Sequence, residues 1–281
     1  MITSIVVPVS DAASSERSIP VAGALARMTG ATLELVGVDP VGLAPERTQR
    51  RLDEVAATVP PGVAVSTTVE DTVESVAATL AHLDRDPGAV MCLATRGRGA
   101  LLSLALGSVT VDVVRESAMP ALVLGPACTA STPADLSSPA VLALDGTEID
   151  DDVMAAAVLW SRATGAPLVV TTTITRPSEP DAWTDADRIV AWAEERAAQL
   201  GLTITSSLSA AADAEEGILR AVEGPVGCYI VGSHRRSRLG RTLLGSTVTG
   251  LAQQALCPLL VAPAGAQALV TSPDTTTATD G

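Results

Sequence analysis

Lysine, asparagine and phenylalanine are absent from the 281-residue sequence, and all 18 basic residues are arginine. Without lysine there is no Walker-type phosphate loop, no Schiff-base chemistry and no lysine general base. Histidine occurs twice, as His82 and His234, which leaves little for histidine catalysis or a metal cage. The four cysteines, Cys92, Cys128, Cys228 and Cys257, stand far apart with no Cys-x-x-Cys pair. A disulfide scaffold of this length would carry more, so the chain reads as reduced and cytoplasmic. No apolar run approaches the roughly 18 residues that cross a bilayer, and the first residues lack the basic region of a signal peptide. Base is also scarce against acid: 32 acidic residues give a formal charge of −14. Such a field repels phosphate backbones and anionic lipid, which argues against nucleic-acid or membrane partners.

What the chain does have is apolar content, 47%, enough for a real core and too much for disorder. It also repeats itself. Thr29-Gly30-Ala31-Thr32-Leu33 returns as Thr164-Gly165-Ala166-Pro167-Leu168, 135 residues on. Leu106-Gly107-Ser108-Val109 returns as Leu244-Gly245-Ser246-Thr247, and Met119-Pro120-Ala121-Leu122-Val123 as Cys257-Pro258-Leu259-Leu260-Val261, both at 138. Preserved order and a nearly constant offset indicate a duplication. The expected division is a first domain at 1–126, a Ser/Thr/Pro/Ala-rich linker at 127–138, a second domain at 139–264 and a disordered tail at 265–281. Acids exceed arginines in both copies, 14 to 9 before residue 131 and 15 to 9 over 139–265. Neither copy is a basic module hidden by the average.

Each copy alternates short apolar runs with helical stripes. In the first, the pattern predicts strands at 5–9, 32–38, 63–68, 89–94 and 121–124, with helices at 14–28, 45–57, 72–83 and 108–116. The second runs the same way from 140–144 to 259–261. Alternating β and α units with right-handed crossovers give a parallel sheet covered by helices. The predicted fold is therefore α/β: two tandem doubly wound, Rossmann-like domains, each a five-stranded parallel sheet flanked by helices.

In such sheets ligands bind beyond the carboxyl ends of the strands, where strand order reverses. The loop after the fourth strand is the informative one. Copy one reads Ala94-Thr95-Arg96-Gly97-Arg98-Gly99-Ala100 and, after Leu106, Gly107-Ser108 opening a helix. Copy two reads Gly232-Ser233-His234-Arg235-Arg236-Ser237-Arg238-Leu239-Gly240-Arg241 and later Gly245-Ser246. Glycines let backbone amides approach a phosphate, and Gly-Ser at a helix start adds N–H groups, a hydroxyl and the positive dipole end. Four arginines within Arg235 to Arg241 would offset the global repulsion of a polyphosphate.

These residues resemble the nucleotide signature of the universal stress proteins, in which Gly, two residues, Gly, nine residues and Gly-Ser/Thr follow one another. The nine-residue spacing holds twice, from Gly97 to Gly107-Ser108 and from Arg235 to Gly245-Ser246. As a tandem pair the chain is similar to two-domain members common in actinobacteria. The resemblance implies a cytoplasmic stress-response protein that binds ATP or a related adenine nucleotide, with or without Mg²⁺, as a sensor or regulator. It implies that the two copies pack through their final strands like the family's homodimers, with further homo-oligomers open. An Asp after the first strand meets adenine and ribose in nucleotide-binding members; its counterpart is Asp145, whereas copy one has Ser10. Backbone at the end of the second strand implies Val38 and Thr173. Phosphate contacts carry over to Gly232, Ser233, Gly245, Ser246 and Thr247 in copy two, and to Gly97, Gly107, Ser108 and Val109 in copy one. Both copies depart from the signature: Ala94 replaces the first glycine of one, and Arg235 the second of the other. In a left-handed conformation Arg costs on the order of 1 kcal/mol where Gly is free, yet its side chain could clamp a phosphate. Asp145 and the arginines make copy two the expected nucleotide site and copy one the degenerate one.

Plainer readings stand beside these. Asp150-Asp151-Asp152 suits a helix N-terminus rather than a metal, Asp145 could cap that helix, and the cysteines read as small buried hydrophobes. Trp160, Trp183 and Trp192 fall in predicted helices, where core or subunit packing explains them. No nucleophile elbow, carboxylate pair or His-Cys cluster appears, so no catalytic and no metal-binding residue is expected. The alternatives are an interaction or dimerisation module of the same fold without nucleotide, and a slow ATPase.

Overall fold

In the computed structural model, which describes residues 1–11, 13–40, 42–95, 107–233 and 245–266, ten strands form one sheet. The first half contributes β1 (Ser4–Val9), β2 (Thr32–Pro40), β3 (Val65–Thr72), β4 (Ala89–Ala94) and β5 (Ala121–Leu124). The second contributes β6 (Ala140–Ala143), β7 (Leu168–Ile174), β8 (Ile204–Ala210), β9 (Cys228–Gly232) and β10 (Leu259–Ala262). The order across the sheet is β3-β2-β1-β4-β5-β10-β9-β6-β7-β8. Within each half every pairing is parallel; β5 and β10 pair antiparallel, with Val123 opposite Leu259, Leu122 opposite Leu260 and Ala121 opposite Val261.

The central strands are apolar throughout because both faces are covered. On one face α1 (Ile19–Thr29), α2 (Pro45–Ala56), α6 (Asp150–Thr164) and α7 (Ala182–Gln199) bury Leu25, Leu52, Met154 and Ala193 against Ile5, Val7, Leu142 and Ile230. On the other, α3 (Val76–Ala81), α4 (Ser108–Glu116), α8 (Ala214–Leu219) and α9 (Ser246–Gln254) bury Leu80, Val113, Ile218 and Leu251 against Val6, Met91, Val141 and Val231. Each layer runs across both halves. Burying one such aliphatic side chain contributes about 1.5–3 kcal/mol.

The duplicated Thr-Gly-Ala segments are matching helix stops. Gly30 and Gly165 end α1 and α6 at φ 72° and 70°, a conformation that favours glycine. Thr29 Oγ1 donates to the Leu25 carbonyl at 2.8 Å and Thr164 Oγ1 to that of Trp160 at 2.9 Å. Elsewhere the boundaries shift from the pattern. The helix expected from residue 14 starts as a 3-10 turn, Ala13–Ser18, and becomes α-helical where Pro20 supplies a first-turn residue that needs no N–H. The third strand extends to Thr72, because its Thr/Val/Glu/Asp run suits an edge strand half in water, paired from Leu33–Val65 to Pro40–Thr72. The helix after it starts late, where the Ser75 hydroxyl accepts from Ala78 N at 3.2 Å.

The stretch read as linker is tied down. Thr132 and Asp135 form a capping box on the short helix α5 (Pro133–Leu136), and Leu136 is fully buried. Backbone hydrogen bonds from Ser131 and Thr132, with one from the Thr132 hydroxyl, hold the Asp135 carboxyl below its ordinary range. Of the expected tail, Gly265 donates its N–H to Asp152 at 3.0 Å and Ala266 is buried; 267–281 lies outside the described residues. The first half secures its exit differently: Arg17 donates to the carbonyls of Thr95 and Gly125, at 3.2 and 3.0 Å.

Three cysteines, Cys92, Cys228 and Cys257, are buried, and burial pushes their thiols up, Cys257 to about 12. They are inert filling at neutral pH. Of the tryptophans, Trp160 is wholly buried and Trp192 packs on the core, but Trp183 is 46% exposed.

At the seam Gly125 meets α9 so closely that an added Cβ would fall 1.7 Å from the Ala252 carbonyl oxygen. Gly125→Ala is expected to lower the unfolding free energy by about 1–3 kcal/mol, read as an earlier urea midpoint; an unchanged midpoint would show that the halves do not close on each other this tightly.

Candidate functional site

Strand order reverses between β1 and β4 and again between β6 and β9, and a cleft opens at the carboxyl end of each reversal. Because the halves meet antiparallel, these ends lie on opposite edges of the sheet.

The first cleft, about 530 Å³, is framed by Val9, Ser10 and Asp11 after β1, Val36, Val38 and Asp39 on β2, and Leu93 and Ala94 on β4. Val76 and Leu80 of α3 complete an apolar wall. α2 turns Arg47, Thr48, Arg51 and Leu52 towards it, residues one turn apart and so on one helix face. Arg47 pairs with Asp11 at 2.6 Å, and Arg51 with Glu16 and, at 3.4 Å, Glu54. Asp39 is buried because both its oxygens accept from Ala44 N, at 3.3 and 3.0 Å, fixing the entry to α2. On the opposite side stand Gly107, Ser108, Val109 and Thr110. Gly107 has φ 68°, where a side chain is strained, and no atom of the described residues lies within 4 Å of where its Cβ would be. It precedes the first turn of α4 and no side chain caps that turn among the described residues. Backbone amides and the helix dipole thus meet the cleft where an anion would be favoured.

The second cleft, about 430 Å³, repeats the plan with different chemistry. Asp145 is exposed, and its Oδ1 accepts from Thr147 N at 3.2 Å and Thr147 Oγ1 at 2.6 Å. Asp150, buried at the start of α6, accepts from Gly146 N at 2.8 Å and Asp145 N at 3.4 Å. Asp151 pairs with Arg196 at 3.1 Å, and Asp152 holds Gly265, so each acid of the triplet has a structural partner at the helix start. Where β2 presents Val36 and Val38, β7 presents Thr171 and Thr173. Thr173 Oγ1 donates to the Ala214 carbonyl at 3.4 Å. Thr171 is 0% exposed and its Oγ1 has no hydrogen-bond partner among the described residues. A buried hydroxyl left unpaired costs about 1–3 kcal/mol. α7 supplies Asp185 and Ile189 where α2 supplies arginines.

Of the residues read from the sequence, Ser10, Val38, Gly107, Ser108 and Val109 line the first cleft, and Asp145, Thr173, Gly232 and Thr247 the second. Gly245 and Ser246 open α9 beside the second cleft without lining it, and Gly245 sits at φ −56°, which any residue adopts. Ser233 is buried at the sheet end, its N–H on the Ala262 carbonyl at 2.9 Å. Gly97, Arg235 and His234 lie outside the described residues. Arg47, Arg51, Asp39 and Thr171 were not anticipated; the one-turn spacing of the two arginines is the only sequence signal for any of them. Charges on the described lining differ: Asp11 and Asp39 balance Arg47 and Arg51 in the first cleft, whereas Asp145, Asp150, Glu179 and Asp185 outnumber Arg176 in the second.

No group of three or more His, Cys, Asp and Glu among the described residues could hold a metal ion, and no described helix is long and apolar enough to cross a membrane. The fold and its clefts define an α/β protein with a parallel sheet flanked by helices in each half. Residues 1–125 match the model of the Universal stress protein family. No curated protein matches the sequence. The whole chain is similar in fold to a universal stress protein from Archaeoglobus fulgidus, with 16% identity, TM-score 0.66 and 93% of this chain and 98% of that one covered. A putative universal stress protein from Pseudomonas aeruginosa gives 17% identity and TM-score 0.59, with 96% and 98% covered. The cytoplasmic domain of a prokaryotic cation chloride cotransporter shares the fold at 12% identity and TM-score 0.54, with 93% and 95% covered.

Gly232 has a packing reason to be glycine: a Cβ there would lie 2.5 Å from Ile149 Cγ1. Gly232→Ala is expected to cost about 1–3 kcal/mol in thermal or urea unfolding with no ligand present. Unaltered stability would leave ligand contact as the reason for the glycine.

Proposed function

We propose that the chain is a cytoplasmic stress-response protein that binds ATP or a related adenine nucleotide, as a sensor rather than a catalyst. The reading treats residues 1–126 and 139–264 as two domains of one design. The observation that carries it is the first cleft, where an apolar wall faces the first turn of α4, which no described side chain caps, behind a glycine at positive φ. Its volume falls in the range of small-molecule sites. Val38 and Leu80 suit the faces of a base, while the amides of the Gly107–Ser108 turn and the guanidinium groups of Arg47 and Arg51 suit phosphate oxygens. Ser10, Gly107, Ser108 and Val109 are the proposed contacts of this half. Charges balance on the described lining of the first cleft; the loop arginines behind the preference for the second cleft, Arg235 to Arg241, lie outside the described residues. The described lining of the first cleft contains no histidine or cysteine, and its buried carboxylate, Asp39, is engaged by Ala44. The reading is of a holding site, in which the described lining residues offer no free base or nucleophile for turnover.

One observation favours the second reading, an interaction module without nucleotide: Arg47 and Arg51 already face carboxylates. For exposed pairs such contacts are worth at most about 1 kcal/mol, a barrier that phosphate charge can overcome.

Calorimetry decides between them. ATP is expected to bind the full chain, with or without Mg²⁺, and both Gly107→Val and Arg47→Glu are expected to weaken it at least about tenfold, roughly 1.4 kcal/mol. Circular dichroism would confirm that both variants stay folded. No binding heat in the wild type under either ion condition leaves the interaction module.

A further inference from the structure

We infer that the β8 edge of the sheet is a self-association surface, to which a second copy of the chain adds its own β8 antiparallel about a twofold axis. The inference does not rest on the nucleotide proposal. β3 and β8 are the outer strands of the ten-stranded sheet, and β8 pairs on one side only, with β7, from Leu168–Ile204 to Ile174–Ala210. Among the described residues no backbone hydrogen bond leaves its other side. Such a row of open N–H and C=O groups templates another strand, and an edge that stays single usually carries charge, proline or a bulge. β3 follows that rule, with Glu70 and Asp71 on the strand. β8 does not: from Leu202 to Ala212 there is no charged residue, no proline and no glycine.

Charge selects the occupant. Two copies of net charge −14 repel each other, and this uncharged stretch lets them meet without bringing carboxylates together. A twofold axis at Ser207 would place Ile204 opposite Ala210 of the second copy, Thr205 opposite Ser209 and Ser206 opposite Leu208. Small residues then face large ones on the α7 side, where Leu202 and Ile204 already pack on the core. Hydroxyls face hydroxyls on the α8 side, a pairing that stabilises antiparallel strands. The seam of β5 with β10 shows that this sheet already closes edges by antiparallel pairing of equivalent strands. Pairing β3 with β3 would instead gather Glu70 and Asp71 of both copies on one edge. Pairing β3 with β8 is a head-to-tail contact that builds filaments rather than a closed dimer.

One strand edge is a small interface, so the association is weak, and the mass of the full chain is followed by sedimentation up to about 200 µM. The expected result is a reversible dimer and no larger species. It should be tighter in about 0.5 M than in about 0.05 M salt, because salt screens the repulsion between acidic copies. Ser206→Asp, at an exposed position of β8, should raise the dissociation constant at least about tenfold, since symmetry counts the change twice. Thr205→Asp, likewise exposed, should do the same, and Ser66→Asp, exposed on β3, should leave the constant unchanged. Circular dichroism shows which variants remain folded. A single-chain mass at every concentration and salt overturns the inference, whether the edge stays open or another segment such as 267–281 covers it. So does a mass that keeps growing with concentration, or a dimer loosened by salt. A dimer equally tight in the folded β8 variants, or weakened as much by Ser66→Asp, overturns it as well.

Discussion

Three residue pairs between β5 and β10 join two parallel sheets that would otherwise each end in an open edge. An unpaired strand edge is a template for aggregation, and the commonest remedies are to cover it or to pair it. Here each half is the other's remedy, and the close approach of Gly125 to α9 shows how little space separates them. The consequence goes beyond stability. Antiparallel joining sends the carboxyl ends of β1–β5 to one edge of the sheet and those of β6–β10 to the other, so the clefts share a core but no lining residue. A duplication built this way keeps its scaffold and frees one site to change without disturbing the other.

The described linings differ in this way. Matched positions hold Ser10 and Asp145, Val36 and Thr171, Val38 and Thr173, while α2 and α7 bring opposite charge to equivalent walls. What stays constant is the frame: the left-handed stops at Gly30 and Gly165, the strand reversals, and the Gly-Ser helix starts. Gly107 and Gly245 show how far identical sequence can diverge. The first is held at φ 68° and the second at φ −56°, so only the first requires glycine for its backbone.

The fold was legible because its signals are local and repeated. Thr-Gly-Ala marks a helix stop twice, continuous Ile/Val runs mark strands covered on both sides, and a fixed offset pairs the halves. What escaped depends on partners distant in sequence. Arg47 and Arg51 read as an ordinary solvated helix face until α2 lies beside β1 and α4. Thr171 reads as one more residue in a β-branched run until its neighbours leave the hydroxyl unpaired. The segment at 127–138 reads as linker because a capping box uses the same Ser, Thr, Pro and Asp as a flexible connector. Asp145 and Gly232 were found by motif, yet the packing of Gly232 on Ile149 adds a reason the motif does not contain.

The central claim is that the Gly107–Ser108 turn of the first half is where a nucleotide's phosphates rest. Hydrogen exchange of the full chain, with and without saturating ATP, tests it most directly. The account predicts slowed exchange at the amides of Ser108, Val109 and Thr110, with β2 around Val38 following and the Ser246–Thr247 turn unmoved. Protection confined to the second half, or none in either, would contradict it.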